Sequence, residues 1–136
     1  MVKDICKDIM LLSQKAKPAS EADVPLAMDL LDTLRANSER CVGMAANMIG
    51  EPKAIIAVAA GPAILLMLNP VITAKSGVYQ TEESCLSLAG SRETSRYQNI
   101  EVDYQDIGMN KRHGSFEGWT AQIIQHECDH LEGILI

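Results

Sequence analysis

Nothing in this sequence reads as an address. The opening MVKDICKDIMLLSQKAK mixes acidic and basic residues around a very short apolar run and lacks the apolar core of a signal peptide. The longest apolar stretch, AIIAVAAGPAILLML, is interrupted by Gly61-Pro62 and falls short of the roughly 20 residues that a membrane span requires. Two strands joined by a turn are expected there. The four cysteines, at 6, 41, 85 and 128, include no C-x-x-C pair, so a disulfide framework is not expected. Reduced thiols free to bind metal fit a cytoplasmic location. Basic residues are not in excess: 12 Lys and Arg against 18 Asp and Glu give a net charge of −6 and a pI near 5.0. That balance disfavours nucleic acid or an anionic membrane as partner. Repeats, low-complexity tracts and linkers are also missing. A single domain over residues 1–136 is therefore expected, and a 47% hydrophobic content suffices for a globular core.

What is present is a pattern of helices at both ends with strands between. Ser20 and Asp23 in SEAD form a capping-box pattern, and Pro25 falls in the tolerated first turn. Ala27, Leu30, Leu31 and Leu34 then recur at helical spacing, and the helix should fade from Asn37 to Cys41. AIIAVA, AILLML, NPVIT, GVYQT and IEVDYQ read as short strands. A last helix is expected from about Glu117 to Leu131. The fold class is α+β, with mostly antiparallel short strands packed around the C-terminal helix and a further helix near the N-terminus.

That C-terminal helix carries the chemistry. In QHECDHLEGILI, His126 and His130 are four residues apart and share a helical face, with Glu127 beside them to handle a proton. The stripe continues backwards through Ile123 and Trp119, which predicts that the histidines face inward. Cys128 lies off the stripe and is read as packing. A third ligand is needed. In H-E-x-x-H-x-x-G-x-x-H the last position binds metal, but here Gly133 is followed at that position by Ile136, which offers no donor. The ligand is therefore expected upstream. Cys85, His113, Glu82 and Glu83 are the candidates. Cys85 leads, because thiolate is a strong ligand for zinc and ferrous iron. His113, in NKRHGS, reads as a solvated turn histidine.

Three segments, CVGMAANMIG, EESCLS and QHECDH, resemble in order and spacing the three motifs of peptide deformylases. NPVI, Arg92, Arg96 and IEVDYQD between them are similar to that family too. The resemblance implies that Cys85, His126 and His130 hold one divalent metal ion, ferrous iron first, with zinc, nickel or cobalt as substitutes. A water would complete the coordination. It further implies Glu127 as general base and acid, and the backbone N–H of Leu86 as an oxyanion donor. Val42, Gly43, Met48 and Ser84 would face the substrate, an N-formylmethionyl peptide or nascent chain, met in the region of the ribosome exit. The implied reaction releases formate from the initiator methionine.

Several positions depart from the family pattern. Met48 stands where the first motif has a glutamine that donates to the oxyanion, and a thioether donates nothing. Cys41 and Ser84 replace glycines, and Ala89 stands where proline is frequent. A serine at 84 would be strained if its glycine counterpart used positive φ. Asn47 carries an amide next to Met48, but in an extended segment it would point to the opposite face. Met48 motivates two alternatives: an amidase for another small acyl group, and a metal-binding protein with weak or no turnover.

Overall fold

A computed structural model describes residues 1–136. In chain order the elements are α1 (Ile9–Leu12), α2 (Val24–Ala36), β1 (Gly43–Ala45), β2 (Ile55–Ala60), β3 (Ala63–Cys85), β4 (Leu88–Gln105), β5 (Lys111–Glu117) and α3 (Gly118–Leu131). Single 3-10 turns occupy Glu21–Asp23 and Ala46–Ile49. The five strands form one antiparallel sheet in the order β1-β2-β3-β4-β5. This is the expected α+β class. No helix is long and apolar enough to cross a membrane.

α2 begins as its sequence suggests. The Asp23 carboxylate accepts the Ser20 N–H at 2.8 Å, and Ala27, Leu30, Leu31 and Leu34 form the buried stripe. Asn37 ends the helix, its amide donating to the Thr33 carbonyl at 2.8 Å.

β2 is covered on both faces. Ile55 and Ala57 pack into the cluster that holds Leu30 and Leu34 of α2, whereas Ile56 and Val58 pack with Ile123 and Ile124 of α3. Burial on both faces explains why the segment reads as a continuous apolar run without alternation. Each fully buried Ile or Leu here contributes about 1.5–3 kcal/mol of transfer free energy. The β2–β3 hairpin turns on Gly61-Pro62, with Ala60 opposite Ala63 and Gly61 at φ 65°. Pro62 cannot take positive φ, so the pair suits a Gly-X hairpin turn with the left-handed residue first.

The middle of the chain departs from the expected string of short strands. NPVIT, GVYQT and the following TEESC run together as one long strand, β3. The segments expected as separate strands are continuous, with bulges at Asn69-Pro70 and Thr73 marked by register shifts between Leu68 and Val71 and between Ile72 and Ala74. Asn69 takes φ 52° and is held there by its own side chain. That side chain accepts the Ala19 N–H at 2.7 Å and donates to the Ala19 carbonyl and Gln105. His113 lies in β5 opposite Asp103 and not in a turn, though its side chain is exposed as expected.

The expected inward stripe of α3 holds from Ile123 onward but fails at Trp119, which is 62% exposed. The first turn of α3 carries this ring to the mouth of the cleft described below. The far end of α3 closes on Gly133 at φ 78°. The N–H of Ile134 donates to the Asp129 carbonyl and the N–H of Gly133 to that of His130, both at 3.0 Å. This is the Schellman pattern, and a Cβ on Gly133 would also run into the Ser13 carbonyl oxygen. Helix capping and docking account for this glycine.

Candidate metal centre

Two elements bring the ligand atoms together. Cys85 ends β3, at the tight turn into β4, and His126 and His130 project from one face of α3. The Cys85 thiol and one ring nitrogen of each histidine lie within 4.8 Å of one another. The two Nε2 atoms are 3.1 Å apart. Neither Glu82 nor His113, both weighed as third ligands from sequence, belongs to this group. Glu83 does something else: its carboxylate meets Nδ1 of His126 at 2.8 Å and so leaves Nε2 to face the metal position.

Glu83 is itself held on several sides. Arg96 grips it through Nε at 3.0 Å and a terminal nitrogen at 2.7 Å, and Gln122 donates to it at 2.9 Å. Arg96 also binds Asp129 at 2.7 Å, and the Tyr79 hydroxyl donates to Gln122 at 2.9 Å. Arg96 is 4% exposed, so this is a buried charge network anchored on one metal-facing ring. Burial alone would raise the Glu83 carboxyl, but bonds from His126, Arg96 and Gln122 bring it down to about 2. Sequence reasoning ranked Glu83 as a possible ligand and missed the network. Its members meet only through the β3–β4 register and the packing of α3.

The electrostatics of the histidines suit a cation. Burial works against charge on His126, but bonds with Cys85 and Glu83 and the charge of Glu127 raise it to about 10. Burial and the neighbouring His126 push His130 down to about 3. Without metal the pair thus shares a proton, His126 donating and His130 accepting. The Nδ1 of His130 is buried without a protein partner. One thiol and two imidazoles converging at these distances form a donor set that fits a divalent cation.

Glu127 sits beside this group, 4% exposed, with Oε1 buried and unpartnered. Burial is the main cause that raises its carboxyl to about 7, against the opposing charge of His126. Gly43 of β1 packs directly on it. A Cβ there would lie 2.6 Å from Ile123 and 2.9 Å from the Glu127 carboxylate. Cys128 is packed against the α3 side of the core, and burial lifts its thiol to about 12.

Cys85, His126 and Glu127 line a cleft of about 600 Å³, and His130 lies fully buried next to His126. Val42, Gly43 and Met48 from the β1 region and Ser84 and Leu86 from the β3–β4 turn line it as well. Two strand edges border it. β1 is the last strand of the sheet, and β2 pairs with β3 no further than Leu68, so Thr81–Ser84 pair only with β4. Ser84 avoids the positive φ that would have strained it.

The segment Ala46–Ile49 is a 3-10 turn and not extended. Met48 points into the site, 1% exposed, with its sulfur 4.0 Å from the Cys85 sulfur and 3.5 Å from the Ala45 N–H. Asn47 turns away and donates to the His130 carbonyl at 2.8 Å. It braces the metal-facing helix and does not replace the missing donor.

Fold and site together define a metal-dependent hydrolase: an H-E-x-x-H helix completed by an upstream cysteine, with a buried carboxylate at the metal position. The chain matches the polypeptide deformylase family over residues 2–136, and it belongs to that family. A peptide deformylase of Clostridium beijerinckii is 56% identical over 136 residues, covering all of both chains. One from Thermus thermophilus is 36% identical and covers 92% of this chain and 74% of its own. A crystal structure of peptide deformylase from Thermus thermophilus superposes with a TM-score of 0.87 at 35% identity, covering 99% of this chain and 84% of that one. A Met-Ala-Ser-bound class I type b peptide deformylase from Acinetobacter baumannii superposes with a TM-score of 0.88 at 29% identity, covering 99% and 97%.

Proposed function

We infer that the protein is a peptide deformylase, removing the N-formyl group from the initiator methionine of nascent polypeptides and releasing formate. The observation that carries this is the Cys85, His126 and His130 cluster with Glu127 beside it, in a cleft bordered by two free strand edges. Residues 1–136 act as one catalytic unit. A divalent cation held by Cys85, His126 and His130 would supply Lewis acidity and an acidified water. Ferrous iron suits a thiolate with two imidazoles, as do zinc, nickel and cobalt, and the ferrous form would be sensitive to oxygen.

The chain's own groups do the rest. A peptide enters extended and pairs with the backbone of Val42 and Gly43 on one side and Ser84 on the other, as an added strand. That the relative from Acinetobacter baumannii binds Met-Ala-Ser supports a tripeptide-sized occupant of the cleft. Glu127, buried beside the metal position, takes the proton of the attacking water and delivers it to the amine as the C–N bond breaks. The Leu86 N–H faces the oxyanion, while Met48 contributes contact without a donor. A cytoplasmic site of action near the ribosome exit fits a substrate that exists only on new chains.

The test is formate release from a formyl-methionyl peptide by anaerobically prepared, iron-loaded protein. Glu127→Ala should lower turnover by about 10²–10⁴-fold, the usual contribution of a general acid–base. Wild-type release no greater than that of Glu127→Ala would overturn the assignment.

A further inference from the structure

Met48 brings a second sulfur to the metal position. On a tetrahedral cation, two sulfurs at about 2.3 Å would lie about 3.8 Å apart, and two imidazole nitrogens at about 2.0 Å would lie about 3.3 Å apart. In this protein the Met48 and Cys85 sulfurs are 4.0 Å apart, and the two Nε2 atoms 3.1 Å. Each of these two pairs therefore stands at a separation that one ion can bridge, and the Cys85 sulfur, which Met48 faces, lies within 4.8 Å of a ring nitrogen of each histidine. Met48 is buried to 1% exposure, so its side chain is held by packing. Its sulfur has one weak polar neighbour, the Ala45 N–H at 3.5 Å, which leaves a lone pair available. The other thiol in the cleft, Cys41, is engaged with the Gly43 carbonyl at 2.8 Å.

Ligand softness then decides what the fourth donor does. A thioether is a poor ligand for ferrous iron or zinc beside water and imidazole, but it is a good one for monovalent copper. We propose that Met48 is a metal-selecting residue: copper(I) takes its thioether as a fourth ligand beside Cys85, His126 and His130 and closes the site, whereas zinc or ferrous iron leaves Met48 unbound and a position open to water. This rests on the metal site of the proposed function and adds a discrimination among ions. No electron transfer is involved, because copper enters and stays monovalent.

The experiment uses anaerobic, metal-free protein titrated with copper(I) against a competing chelator, and separately with zinc. X-ray absorption on the loaded wild type should count two sulfurs and two nitrogens around copper, and one sulfur around zinc. Met48→Leu, which conserves volume in a packed position, should weaken copper(I) binding by at least about tenfold, the low end of what losing a supporting partner costs a metal site. Zinc affinity should stay within about twofold, since the ligands that bind it are intact. Cys41→Ser should leave both affinities unchanged. One sulfur around copper, two around zinc, equal copper affinity in wild type and Met48→Leu, or a loss confined to Cys41→Ser would each overturn the proposal while leaving the metal site standing. Failure of both ions to bind would overturn the metal site itself.

Discussion

The metal position has two unlike walls. One is polar and interlocked: Glu83 binds Arg96, Gln122 and His126, and Arg96 also binds Asp129. The other is built from the 41–48 segment, where Cys41 and Met48 supply sulfur and apolar surface. The contrast separates two jobs. Holding and orienting ligands requires a rigid network that is satisfied before metal arrives. Stabilising charge that develops during reaction requires a free donor, and this second wall has none from a side chain at Met48.

Four measurements test whether the walls divide the work in this way. The largest effect is expected from Met48→Gln. Restoring a donor to the sulfur wall should raise kcat toward about 10²–10³-fold, the amount that an oxyanion donor contributes. An unchanged kcat would mean that the division is wrong. Next is Glu83→Gln on the polar wall, which removes the charge that fixes His126. Metal affinity, measured by competition with a chelator, should fall about 10–100-fold.

Third is the pH dependence of the metal-free protein. Glu83 is lowered to about 2 and His130 to about 3, so each contributes stability that is lost on acidification. The His130 contribution falls from its ordinary 6.5 toward 3, and that of Glu83 from 4.5 toward 2. His126, raised to about 10, contributes stability that is complete below 6.5 and lost as pH rises through 10. Glu127, raised to about 7, loses its share between 4.5 and 7. Urea midpoints should therefore be highest between about pH 4.5 and 6.5, where the His130 and Glu127 contributions oppose each other, and fall on either side, and Glu83→Gln should shallow the alkaline limb. Metal uptake near neutral pH should release protons, because the proton between the imidazoles must leave. Smallest is Asn47→Ala, which removes the brace on the His130 carbonyl. It should cost about 1 kcal/mol in urea unfolding, the net worth of one hydrogen bond, with little change in ligand identity. A loss several times larger would show that the sulfur wall also positions the ligands.

What could be read from the sequence follows the range of the interactions. Periodicity and caps are local, so α2, α3 and the β2–β3 hairpin appear where they were expected. The ligands were legible because donor chemistry is rare in this chain, which has three histidines and four cysteines. Long β3 was not, because Asn69, Ser76 and Gly77 have turn chemistry and only cross-strand pairing shows the strand running through them. Trp119 followed the apolar stripe of its helix, but nothing in the stripe tells where the sheet beneath it stops. The Glu83–Arg96 network lay hidden for the same reason. Glu83 and Arg96 are 13 residues apart, and Gln122 lies 39 beyond Glu83, so their meeting depends on tertiary structure.

The two unpaired strand edges beside the cleft have a consequence for selectivity. What they offer a guest is main-chain N–H and C=O, and what they engage is main-chain N–H and C=O, which every protein carries in the same arrangement. Such a cleft is indifferent to most of what it processes. In the proposed binding mode it would inspect the first residue and the group attached to it, and beyond that register only that a chain is extended. A catalyst built this way can serve an entire proteome with one binding mode, and it has to find its discrimination at the end of the chain.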